Sequence, residues 1–146
     1  MLSHAAGPRA LVRTLNLLTG LFALRVLGQF LVAGFHVSFL PAMHHWQSGL
    51  LPYPALLAMQ LAMLAVMCKI NLDCANNRGY FGVRRLGWSR GLMIASNAYA
   101  LAMVIRYAWT MYYYPEMRWF GDVIPILFHF VLAGYLYALA RYNASV

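Results

Sequence analysis

Arg25, Gln29 and His36 lie in the run ALRVLGQFLVAGFHVSFLP, Ala23 to Pro41, which is otherwise almost wholly apolar. On a helix turning about 100° per residue, Arg25 and His36 fall within about 20° of each other, and Gln29 lies about 40° from Arg25. One segment therefore presents a guanidinium, a carboxamide and an imidazole along a single stripe. A second set lies further along the chain. Tyr99 and Arg106 share a face with Ser96, Met103 and Thr110, and His129 stands seven residues after Asp122, nearly in line with it.

These residue types allow a short range of chemistries. A bis-histidine haem b needs two imidazoles on facing helices at matching depth, and His36 with His129 offers such a pair. Histidines in these positions also serve as plain hydrogen-bond links between helices. Arg106, His129 and Tyr99 beneath an aromatic rim supply the few polar groups that a quinone or lipid pocket uses. Arg25 has no acid at its own depth. It is satisfied by snorkelling or internal hydrogen bonds, by an acid from another subunit, or by an anionic ligand or lipid headgroup. Arg25, Gln29, Tyr99 and Arg106 are accordingly the candidate ligand or partner contacts, and His36 and His129 the candidate cofactor residues.

Other chemistries find little footing. His44, His45, Glu116 and Asp122 are metal-ligand types, but they show no HxxxH or HxxE spacing, and adjacent histidines rarely ligate one ion together. No metal ligand is assigned. Ser38, Ser48 and Ser96 lack a base with an orienting acid, and there is no GxSxG. Cys68 and Cys74 form neither CxxC nor a zinc pattern. With no Gly-rich phosphate loop either, no catalytic residue is assigned, and the pattern leans away from an enzyme.

The elements that position these groups follow from composition. Of 146 residues, 63% are hydrophobic and only 10% charged, far below the charged share of a soluble domain. Eleven basic residues face three acids, giving a net charge of +8. The basic residues punctuate apolar segments instead of forming a surface, which argues against nucleic acid and for topology signals. A membrane-crossing helix needs roughly 20 apolar residues, and four segments qualify, at about 15–40, 50–70, 90–113 and 122–142. Lipid demands that backbone groups be satisfied within each segment, so the expected fold is all-α, an integral membrane four-transmembrane-helix bundle forming a single domain. Its polar stripes are expected to converge inward. The first apolar run is too long for a signal peptide and lacks a small-residue cleavage site, so it is read as a retained span.

Orientation follows from Arg9, Arg13, Lys69, Arg78, Arg84, Arg85, Arg90 and Arg141, which flank the spans on one side, against Arg118 alone on the other. Both termini and the central loop are thus expected in the cytoplasm. In NNRGYFGVRR the arginines are read as holding that orientation and touching anionic lipids. Lys69 is the sole lysine, a skew typical of GC-rich genomes, which points to a bacterial inner membrane.

The LRVLGQFLVAGF run and the four-span layout resemble the DoxX/MauE group of small bacterial membrane proteins, whose first helix carries an arginine and spaced glycines, here Arg25, Gly28 and Gly34. The resemblance implies a link to redox or quinone-dependent membrane systems. It covers only the first span and the general layout, and the glycine spacing departs from the group's. With no catalytic constellation and minimal loops, the leading expectation is an accessory or structural subunit of a larger membrane complex, with an energy-transducing one, respiratory or photosynthetic and quinone-linked, as the favoured class. Its partners would be membrane lipids and other membrane subunits. The alternative is a redox or ligand-binding protein with a haem, metal or quinone site near His36 and His129.

Overall fold

In the computed structural model the described residues are 7–35, 37–40, 42, 51–114 and 123–145, the Val123 side chain excepted. They form helices α1 (Pro8–Phe35), α2 (Tyr53–Asn76), α3 (Gly79–Gly82), α4 (Leu86–Tyr113) and α5 (Val123–Ala144), with no strand among them. All but α3 are long and apolar enough to cross a membrane.

Helix boundaries differ from the expected ones for local reasons. The first span begins at Pro8, not near residue 15, because proline suits a first turn whose N–H has no acceptor; Gly7 O then accepts from the Ala10 and Leu11 amides. The second continues past the expected stop at 70 to Asn76. Lys69, expected at the edge of the span, instead forms an i,i+4 ion pair with Asp73 on the helix. Asn77 then adopts the left-handed conformation at φ 48° and donates its backbone N–H to Asp73 O. In α5, Pro125 falls within the first turn and is buried.

The four long helices pack through three neighbouring pairs. Backbones approach closely between α1 and α2, α1 and α5, and α4 and α5, with α3 lying on α2. The order is therefore α2, α1, α5, α4, with α4 held at one side by α5. Buried positions on α1 recur as Leu11, Leu15, Thr19, Phe22, Val26, Gln29 and Val32, one continuous stripe. Leu15, Phe22 and Val26 meet Met67, Ile70 and Cys74 of α2 and Tyr135, Leu139 and Tyr142 of α5 in the core. Of the most apolar stretch of α4 only 6% is buried, against 39% for α5. The polar faces of α1, α4 and α5 meet around Arg25, whereas that of α2 meets only α1 and α5. The physical reason is the small residues. Ser89 and Ser96 of α4 and Ala133, Ala138 and Ala140 of α5 are buried, and such residues let helices approach without an apolar driving force between them.

Candidate functional site

Three polar constructions tie the helices together. Nearest the basic end, the Thr19 hydroxyl donates to Leu15 O at 2.9 Å and accepts from Asn71 Nδ2 at 2.9 Å. The Tyr135 hydroxyl donates to Asn71 Oδ1 at 2.9 Å. A threonine, an asparagine and a tyrosine thereby link α1, α2 and α5 in one relay. Further along the seam, Gln60 Nε2 donates to Gln29 Oε1 at 3.0 Å, with both residues fully buried. Thr19 to Gln29 spans ten residues and Asn71 to Gln60 spans eleven, about 15 Å and 17 Å of helix. Those near-equal steps in opposite directions keep both pairs on one antiparallel seam.

The third construction lies between α1, α4 and α5. The Tyr99 hydroxyl and His129 Nδ1 are hydrogen-bonded, with their rings edge to face at 5.6 Å. The Arg25 guanidinium lies over the Phe128 ring at 5.3 Å, a cation–π contact that offsets part of the cost of an apolar setting. Arg25 and Arg106 both act electrostatically on Tyr99 and on His129. Ser96 locks α4 to α5 below this group by donating to Ala133 O at 2.8 Å. The cluster therefore holds two cations beside a tyrosine–histidine pair, a set suited to a ligand carbonyl or anionic oxygen.

Of the residues singled out from the sequence, Arg25, Tyr99, Arg106 and His129 come together here. Gln29 does not join them; it turns to α2 and Gln60. His36 lies outside the described residues, as do His44, His45, Glu116 and Asp122, so the His36–His129 pair is not among the described geometry. Among the described residues no three His, Cys, Asp or Glu side chains gather.

Several structuring residues were not singled out. Asn71 lies just beyond the apolar run, where a loop was expected, and Thr19 and Phe128 look like ordinary helix residues. The basic end is also more built than its sequence implies. The Tyr142 hydroxyl reaches Cys74 O and Gly82 O, each at 3.2 Å, and Asn77 Oδ1 at 3.3 Å. The Phe81 amide donates to Asp73 Oδ2 at 3.3 Å. In the NNRGYFGVRR segment, Arg84 donates to Ser145 O at 2.8 Å and the Arg85 amide to Asn143 Oδ1 at 2.9 Å. The Arg85 guanidinium covers Tyr80 at 4.4 Å. These two arginines hold the end of α5 against the start of α4. No protein-family model, curated protein or solved structure matches the chain.

Proposed function

We propose that this is an integral membrane protein that acts by association, as an accessory subunit docked through α4 in a larger membrane assembly. The supporting observation is the outward face of α4. Gly87, Gly91, Ala95, Ala98 and Ala102 are all exposed and fall within an arc of about 80°. A Cβ added at Gly87 or Gly91 would meet nothing within 4 Å. The chain's own packing thus makes no use of their smallness, although glycine inside a helix costs about 0.5–1 kcal/mol relative to alanine. A small-residue stripe is what lets the backbone of another transmembrane helix approach closely.

Orientation belongs to the same reading. The start of α1, the end of α2, the start of α4 and the end of α5 share one end, and Arg9, Arg13, Arg78, Arg84, Arg85, Arg90 and Arg141 are carried there. That end faces the cytoplasm under the positive-inside bias. Extraction of tagged protein from native membranes in mild detergent tests the association. Wild type is expected to migrate with larger partners, and Gly91→Leu with Ala98→Leu to release it without lowering its own unfolding temperature. Monomeric wild-type protein in the gentlest detergent would refute the reading.

The cluster around Arg25 supports a second reading, a ligand site for a quinone carbonyl or an anionic oxygen held by Arg25, Tyr99 and Arg106. Solvent extraction of the purified protein would reveal a bound quinone, and its loss in Tyr99→Phe would place it. An absorption spectrum without a Soret band would remove haem from this reading.

A further inference from the structure

Two recesses among the described residues open at the basic end, and only one of them is lined by an acid. The larger, about 620 Å³, is bordered by Lys69, Asp73, Asn76, Arg78 and Gly79. Its lysine is already paired with Asp73, and the carboxylate makes it a poor seat for an anion. The second, about 370 Å³, lies between the start of α1 and the end of α2, and holds Arg9, Arg13, Val12, Ala75 and Asn77. No acid lines it.

We infer that this second recess seats the phosphate of an anionic glycerophospholipid, gripped by Arg9 and Arg13. The two arginines are four residues apart, so they stand on one face of α1 within one turn of each other. Neither forms an ion pair or hydrogen bond with any described residue, and the sole described acid, Asp73, is engaged by Lys69 and the Phe81 amide. Two guanidiniums in one recess, unpaired among the described residues, match a phosphate in charge and in fork geometry. Asn77 strengthens the match. Its Oδ1 lies 3.3 Å from the Tyr142 hydroxyl, which turns its amide N–H groups away and leaves them for a ligand oxygen. Val12, Ala75 and Pro8 complete an apolar lining for the glycerol and the first acyl carbons. The recess also lies at headgroup level, because Trp88 and Tyr80 pack beneath Arg85 at the same end as an interfacial aromatic group. A basic pocket between helices on the cytoplasmic side is where anionic headgroups settle. The inference assumes that the helices cross a membrane, and does not depend on α4 docking.

Native mass spectrometry of the full chain, released from nanodiscs of phosphatidylcholine and phosphatidylglycerol in equal amounts, tests it. Wild type is expected to retain a phosphatidylglycerol adduct. Arg9→Gln with Arg13→Gln should lower its retention about tenfold, whereas Arg78→Gln with Arg90→Gln, the same charge change at the same end, should leave it. Ala75→Glu, an exposed position that keeps both arginines, should also expel the lipid and guards against a folding defect in the double variant. Equal loss in the two arginine pairs, or retention in Ala75→Glu, would overturn the inference. Displacement of the adduct by millimolar inorganic phosphate would overturn the lipid assignment.

Discussion

Gln60 donates to Gln29 across the α1–α2 seam at 3.0 Å, while Gln29 Nε2 and Gln60 Oε1, equally buried, have no partner among the described residues. Two carboxamides that could close a reciprocal pair thus make one bond of two. Removing either side chain leaves the other amide with its full desolvation cost. Gln29→Leu or Gln60→Leu should each lose about 1–2 kcal/mol, and the double variant less than either single. Unfolding in mixed micelles measures this, and strictly additive losses would refute it.

Tyr142 brings the end of α2 and the last residue of α3 to one hydroxyl, although its single proton serves one acceptor at a time. Tyr142→Phe should cost about 1–2 kcal/mol and speed amide exchange over residues 77–82 before the rest of the chain. Uniform acceleration across all helices would contradict that local role.

Two glycines make opposite predictions. A Cβ on Gly82 would sit 2.4 Å from the backbone oxygen of Asp73, which cannot yield as a side chain would. Gly82→Ala should therefore displace α3 and cost about 1–3 kcal/mol. Gly91→Ala meets open space and should stabilise the isolated protein by about 0.5–1 kcal/mol through helix propensity. Denaturant titration of both variants decides the point, and similar signs would be the failing result.

Lys69 and Asp73 are unequal partners, the lysine side chain 62% exposed and the carboxylate 8%. Lys69→Met should change stability by under about 0.5 kcal/mol, because the lysine end of the pair is open to solvent. Asp73→Ala should cost about 1–2 kcal/mol, since the Phe81 amide then loses its acceptor. Thermal unfolding of the two variants side by side would show the asymmetry or its absence.

Tyr99 fixes the ring of His129 through a hydroxyl contact, with two guanidiniums nearby. Tyr99→Phe should shift the His129 ring-nitrogen resonances while leaving the α4–α5 bond from Ser96 to Ala133 intact. Unchanged His129 resonances would show that this contact does not orient the ring.

The number of membrane-length helices was legible in the sequence because apolar length and proline position are local properties. Arg25, Tyr99, Arg106 and His129 were likewise legible as candidates, since polar groups in apolar segments are conspicuous one at a time. Which of them meet was not legible. Helical periodicity assigns each residue an angle on its own rod and says nothing of which rod stands opposite. The contacts of Thr19 with Asn71 and Gln29 with Gln60, and the close approach of α4 to α5, arise only when small residues allow particular helix faces to close. Those pairings depend on distances between segments far apart in the chain, so tertiary packing alone decided them.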